Sequence, residues 1–336
     1  MQKMLLALAV ALIGVLLMGP RVLPVLRKMK FGQTIYELGP QTHKTKQGTP
    51  TMGGLMTLTM TVIASLVFHP NGWQGLNDFI WPILFVSLGA MLIGFVDDYI
   101  KVVKKRNLGL TAKQKVFGQV FVAVAFSCYC YFNPQVGSKI VIPFFNVDWD
   151  LGIFYIPLMT LLVIFMTNSA NLQDGLDGLL SSVTVIGSAA WGLLALFMIP
   201  AAGSLMMQEN LQTLGVFAFA LAGASIGFLR FNRYPAMVFM GDTGSMFIGG
   251  ATVGLAMLMR QPFLLLLIAF TMVMSSVSVM MQVTYFKLTH GKRIFKMSPI
   301  HHHFELCGYT EKKIVAGYAI VTLILSAIAL LSLGIG

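Results

Sequence analysis

The sequence predicts an all-α integral membrane protein of about ten transmembrane helices, and three observations lead there. Apolar residues fill 57% of the 336 positions and charged residues only 10%, against roughly 25% charged in soluble domains; mean hydropathy is +0.80. The apolar residues form runs of the length that crosses a bilayer, about 17 to 25 residues. All but Lys3, Lys139 and Arg260 of the 23 Lys and Arg residues lie in or beside the loops at 27–51, 97–115, 230–237 and 287–313. Those four loops then share one face, cytoplasmic by the positive-inside rule, and both termini fall on the other. The formal charge of +11 follows from topology and does not point to nucleic acid.

The first span covers 4–26. Its apolar core is like that of a signal peptide, but it runs on too far and lacks a small-residue cleavage site. Further spans are expected at 52–68, 79–96 and 116–132, then at 151–167 and 176–199 after a stretch, 137–150, whose alternation suggests a small external β-hairpin. The remainder fall at 211–229, 238–259, 262–286 and 314–334. The break at Arg260, Gln261 and Pro262 separates the eighth from the ninth, because proline ends one helix and starts another. Cys128, Cys130 and Cys307 show no CxxC spacing and no metal knuckle. No repeat or soluble domain interrupts the chain, so residues 1–336 form one domain.

Five aspartates, Asp97, Asp98, Asp174, Asp177 and Asp242, sit at the ends of spans on the basic face, and none lies in mid-membrane. A pump would be expected to carry ionisable groups deep in its helices. FVDDY, 95–99, puts Asp97 and Asp98 at a helix C-terminus, where negative charge is unfavourable. Lys101, Lys104 and Lys105 could compensate as surface pairs worth about 0 to 1 kcal/mol each, or a divalent cation could. Adjacent helical residues point about 100° apart, so the pair is not expected to chelate one ion together. NLQDGLDG, 171–178, sets Asp174 and Asp177 three apart on one face of a helix that starts there, beside Asn168 and Asn171. Two readings stand, N-terminal capping or a ligand site.

FNRYPAMVFMGDTGS, 231–245, places Asp242 between Gly241 and Thr243 at a helix start, which suits either a cap or Mg²⁺ with phosphate. PIHHHFE, 299–305, carries His301, His302 and His303 on a loop; adjacent histidines do not converge on zinc, but they can donate to a diphosphate. Ser275, Ser276, Ser278 and Gln282 in the ninth span are either the wall of a lipid groove or ordinary interhelical contacts. Carboxylates for a metal, with Lys46, Lys115 and histidines for phosphate charge, on one membrane face, fit phosphoryl transfer. A membrane metalloprotease is disfavoured because HExxH is absent; an anion or nucleotide-sugar transporter stays open.

KQGTPTMGG at 46–54, FVDDY, NLQDGLDG, FNRYPAMVFMGDTGS and PIHHHFE together resemble the polyprenyl-phosphate N-acetylhexosamine-1-phosphate transferases. GTPTMGG and HHHFE point to their cell-wall branch, the phospho-N-acetylmuramoyl-pentapeptide transferases. The resemblance spans the whole chain, with Gln173 standing where that family has threonine.

It implies Mg²⁺-dependent attack of undecaprenyl phosphate on UDP-N-acetylmuramoyl-pentapeptide, giving lipid I and UMP at the cytoplasmic face of a bacterial cytoplasmic membrane, by a homodimer. It further implies Asp242 and Asp98 as metal ligands, and Asp97, Asp98, Asp242 and His301 as catalytic, Asp97 being the proposed base. Asn171, Asp174, Asp177, Asn232 and Phe239 are implied as the nucleotide-sugar pocket, with Phe239 stacking on uracil. Lys46, Lys101, Lys115, His301 and His302 are implied as phosphate or nucleotide contacts, and Thr51, Gly241 and His303 also belong with the substrate-binding residues. The family lysine is assigned to Lys115 rather than Lys113 from the KVFGQ that follows.

Overall fold

Small residues decide the centre of the molecule. GDTGSMFIGGATVGLAML folds as helix α8, Gly241–Leu258, and every residue in it except Asp242 is buried. Its glycines let neighbouring backbones come close, as membrane helices require where packing rather than water expulsion drives association. A Cβ at Gly54 would lie 2.3 Å from the Gly244 Cα, and one at Gly94 2.2 Å from the Asp242 carbonyl oxygen. These two contacts set α2 and α3 directly against the start of α8.

The computed structural model describes residues 1–28, 46, 48–70, 75, 78–103 and 109–333. Before α8 in the chain come α1 (Gln2–Lys28), α2 (Gly54–Val67), α3 (Ile80–Val103), α4 (Ala112–Phe132), α5 (Tyr155–Gln173), α6 (Leu179–Met198) and α7 (Leu205–Asn232). The chain finishes with α9 (Leu265–Ile268), α10 (Phe270–Leu288), α11 (Ile300–Leu306) and α12 (Glu311–Leu331). α8 packs on α3 and α5, while α7 packs on α1, α2 and α6. The outer helices expose apolar side chains, among them Leu5 and Leu17 of α1, Phe117 and Phe121 of α4, and Leu323 and Ile324 of α12. This is the surface of a polytopic membrane protein.

Helical segments occupy all ten expected positions, and most of them have the length and composition of membrane spans. Among the described residues seven helices are long and apolar enough to cross a membrane, or eight if a bent pair counts as one. α2 is too short at 14 residues. α8 drops out because Asp242, its glycines and its threonines dilute its apolar character. The ninth span is the bent pair: its halves, Pro262–Ile268 and Phe270–Leu288, turn by 88°.

The expected hairpin is present, β1 (Lys139–Ile142) pairing antiparallel with β2 (Val147–Asp150) in the register Lys139 opposite Asp150. It is tied to the break after α8, where the Val141 N–H donates to the Arg260 carbonyl at 2.9 Å and the Arg260 guanidinium meets Asp148 at 2.8 Å. Lys3 at the start of α1 donates to the carbonyls of His69 and Pro70, just beyond α2. These groups lie at the end opposite Asp242, so α1 begins there and α12 finishes there.

Candidate functional site

Asp242 stands in the first turn of α8, the one residue of that helix not buried, its side chain 19% exposed. Gly241 precedes it with φ +78°, a left-handed conformation that suits glycine. The turn is clamped by the segment before α2. Phe239 N–H donates to the Pro50 carbonyl at 2.8 Å, Gly53 N–H to the Phe239 carbonyl at 2.9 Å and Gly54 N–H to the Met240 carbonyl at 2.9 Å. A Cβ at Gly241 would meet Asp98 Oδ2 and Thr51 Oγ1, each at 2.8 Å. Thr51 Oγ1 is buried without a hydrogen-bond partner among the described residues, beside this carboxylate.

α3 brings the other two carboxylates. It runs on to Val103, past the expected end at 96, so Asp97 and Asp98 lie inside the helix and not at its C-terminus. The end of the helix dipole, which acts within the last turn, is therefore not what they answer to. Asp98 Oδ2 accepts from the Thr243 N–H at 2.9 Å and the Thr243 hydroxyl at 2.7 Å. Asp97 Oδ1 accepts from the Leu110 N–H at 2.8 Å.

One oxygen from each of Asp97, Asp98 and Asp242 lies within 4.8 Å of the others, a group that could hold a metal ion. Asp97 and Asp98, expected to point apart, are thus both within reach of one point between α3 and α8. Like charges at this spacing repel by about 3 kcal/mol per pair at an effective dielectric of about 20. Lys101 offsets that repulsion, lying 2.6 Å from Asp97, 4.0 Å from Asp98 and 3.1 Å from Asp242. Lys115 adds a contact of 3.0 Å to Asp242. Lys104 and Lys105 fall outside the described residues.

The NLQDGLDG stretch departs from its expected form. α5 ends at Gln173, with Asp174 as its C-cap, and α6 begins only at Leu179, so Asp174 and Asp177 occupy the turn between helices. Asn171, still in α5, donates to Asp242 Oδ1 at 2.7 Å and to Ser245 Oγ at 2.9 Å. Asp174 accepts from the Gly241 N–H; desolvation and then the charges of Asp242 and Asp98 hold its carboxyl well above the ordinary range. Asp177 lies apart from these, bound to Lys46 at 2.8 Å and to the Ala236 N–H at 2.9 Å. Lys46 also meets Glu311 of α12 at 2.7 Å. Burial lowers the Lys46 pKa, but its bonds to the two carboxylates outweigh that and raise it overall.

Asn232 is buried, accepting from Ser181 at 2.8 Å and donating to the Val238 carbonyl at 3.0 Å, and Phe239 is half-buried. The histidines form the helix α11 where a loop was expected, and they diverge. His301 is buried against the NLQDGLDG turn, its Nε2 2.3 Å from where a Cβ at Gly175 would lie. His302 stacks edge-on to His301 and pairs with Glu305 at 2.6 Å. His303 turns elsewhere, its Nδ1 accepting from the Lys296 N–H at 3.1 Å.

α10 holds α11 in place: Ser278 accepts from the Ile300 N–H at 3.0 Å, and Gln282 from the N–H groups of Ile294 and Phe295 at 3.1 and 2.9 Å. With the Ser276–Ser169 bond at 2.7 Å, the polar residues of the ninth span make internal contacts. Beside them an apolar cavity of about 390 Å³ opens between α10, α11 and α12, lined by Phe270, Met274, Ile300, Phe304, Tyr318 and Val321.

Sequence reasoning missed Thr243, which holds Asp98, and Glu311, which joins Lys46 and also accepts from the Asp177 N–H at 3.2 Å. Thr243 sits within the GDTGS stretch already singled out, whereas Glu311 reads as an ordinary first-turn acid. Gln173, which stands where the family has threonine, is fully buried and donates to Thr271 at 3.0 Å.

Residues 80–260 match the glycosyl transferase family 4 model. The chain is 46% identical over 333 residues to the phospho-N-acetylmuramoyl-pentapeptide-transferase of Thermoanaerobacter sp. (strain X514), covering 99% of each. It is 43% identical over 333 residues to the enzyme of that name from Clostridium kluyveri (strain ATCC 8527), covering 99% of this chain and 100% of the other. To that of Oceanobacillus iheyensis it is 42% identical over 324 residues, covering 96% and 95%.

Proposed function

Because the chain belongs to the phospho-N-acetylmuramoyl-pentapeptide-transferase family, we propose that it moves phospho-N-acetylmuramoyl-pentapeptide from UDP to undecaprenyl phosphate, releasing UMP and forming lipid I. The observation that carries this reading is the convergence of Asp97, Asp98 and Asp242 within 4.8 Å at the open end of α8. Lys101 and Lys115 stand beside them, and an apolar cavity opens between the nearby helices.

The three carboxylates fit Mg²⁺, which takes oxygen ligands and pairs carboxylates with substrate phosphates. Bound there, it would draw two anionic phosphates together and neutralise charge that develops on the leaving phosphate. Lys101 and Lys115, which neutralise the carboxylates in the structure, are then free to bind phosphate oxygens. A phosphate monoester has a second pKa near 6, so the lipid nucleophile is mostly dianionic at neutral pH. Asp97 therefore serves chiefly to orient it, with proton removal secondary.

Asp174, which accepts from the Gly241 N–H, stands on the nucleotide-sugar side. Phe239 offers a face to uracil. Asn171, Asp177, Asn232 and Lys46 frame the same side, Thr51 and Gly241 line the metal side, and His301 and His302 approach from α11. His303, by its geometry, supports that helix. The polyprenyl tail lies in the apolar cavity between α10, α11 and α12. The basic loops put this end on the cytoplasmic side of a bacterial cytoplasmic membrane, with residues 1–336 acting as one domain of a homodimer.

The test is purified protein with Mg²⁺, undecaprenyl phosphate and UDP-N-acetylmuramoyl-pentapeptide. UMP and glycolipid are expected in equal amounts, and chelation of Mg²⁺ should abolish both. Uptake of the nucleotide sugar into sealed vesicles without UMP release would overturn the reading in favour of transport.

A further inference from the structure

A second cavity, about 710 Å³, adjoins the site through Asp177. Arg230, Arg233 and Lys312 line it with Tyr234 and Ser182. Its volume falls in the range of sites that enclose a ligand of several hundred daltons. The three cations are exposed, and among the described residues none of them forms an ion pair. Asp177, the one carboxylate among the described lining residues, is paired with Lys46 at 2.8 Å, an ammonium it shares with Glu311. The cavity is thus net positive and calls for an anion.

Lys312 makes the case sharper. It stands in the first turn of α12, where the helix dipole disfavours a cation, and its ammonium lies 5.5 Å from the centre of the Tyr234 ring. Stability of α12 does not explain a lysine at this turn; the basic face of the membrane accounts for its charge, and an anion in the cavity would give that charge a partner.

We propose that this cavity binds the carboxylates of the substrate's peptide, through Arg230, Arg233 and Lys312. The inference rests on the reaction given above. A peptide joined by its amino end to the muramoyl carboxyl keeps a free carboxylate at its far end, so the substrate has a soluble, extended anion well removed from its diphosphate. Asp177 touches both the nucleotide-sugar side and the cavity, so a sugar held beside it directs the peptide outward into the cations. A lipid phosphate would also meet these charges, with Leu229, Val315 and Ala319 of the lining beside its chains, so the experiment separates the two.

The experiment compares UDP-N-acetylmuramoyl-pentapeptide with the same compound whose free carboxylates are converted to carboxamides. Binding and turnover are measured on wild type and on R230Q/R233Q/K312Q in neutral detergent, with singly substituted variants alongside. Three partly exposed charge contacts correspond to about a tenfold change. Wild type should bind the amidated compound about tenfold more weakly. The triple variant should bind the native compound about tenfold more weakly too, with no further loss on amidation.

Equal losses on both compounds, or no loss on either, would overturn the proposal. A difference that disappears on adding phosphatidylglycerol would assign the cations to lipid headgroups and overturn it as well. If the binding pattern is as expected but wild type releases no UMP from the native compound, the reaction is wrong while the peptide site stands.

Discussion

At one end of α8, Asp242 meets Lys101 at 3.1 Å and Lys115 at 3.0 Å; just past its other end, Arg260 meets Asp148 at 2.8 Å. The distances are alike, and the surroundings are not. Asp148 is 47% exposed and its pair fastens a hairpin, a contact of the surface type that contributes little. Asp78, also at that far end, is buried but answered locally: it caps Ile80 at 3.0 Å and faces His69 at 2.7 Å. Around Asp242 the partners come from α3, α4 and α5, and three carboxylates share two ammonium groups. Polar groups at the far end close on themselves, while those at the site end are held in excess of what folding needs.

The largest break in that comparison should come from Asp242→Ala, which is expected to lower turnover about a thousandfold or more while leaving the unfolding temperature in detergent close to that of wild type. Full activity would remove Asp242 from the metal site. Asp97→Asn should cost roughly 100-fold, as loss of orientation does, and the loss should be the same across the alkaline range. Recovery of rate at high pH would instead make Asp97 a true base. Thr243→Val removes one of two bonds that aim Asp98, and an outer partner of a ligand typically matters about tenfold. The half-saturating Mg²⁺ concentration should rise by that factor with kcat less affected.

Asp174→Asn keeps the size of the side chain without its titratable group and should lose no more than a few-fold in kcat/KM. Because the folded pKa of Asp174 is raised, the folded state keeps a proton that the unfolded chain gives up. Wild-type stability should therefore fall as pH climbs upward from the ordinary carboxylate range, and the variant should lack that part of the decline. A pH-independent gap in unfolding temperature between the two would contradict it. Smallest of all, Arg260→Gln should change stability by about 0 to 1 kcal/mol and leave UMP release at the wild-type rate. A large activity loss there would mean that the two ends of α8 are coupled.

Much of this architecture was legible in advance. Helices fall at all ten expected positions because apolar run length and basic loops are local properties of the chain. The span count was less legible, since α8 reads as a membrane helix yet is glycine-rich and enclosed by protein on all sides. The metal-competent group was legible as residues but not as a group. Helical periodicity separates Asp97 from Asp98, and only a neighbouring helix start supplies the point toward which both can turn. The cationic cavity was hidden for a similar reason: Arg230, Arg233 and Lys312 belong to the loop charge that topology already explains.

The sequence by itself determined a membrane-embedded helical chain with acidic, basic and histidine motifs on one face, because hydropathy, charge placement and motif spelling need no partner to be read. Tertiary structure alone decided which of those side chains meet. It closed Asp242 onto α3, turned His303 away while burying His301, and left three cations around an open cavity. The contacts of Asp242 with Lys101 and of His301 with Gly175 join residues more than a hundred positions apart, and their geometry depends on glycine-to-backbone approaches that no local pattern specifies.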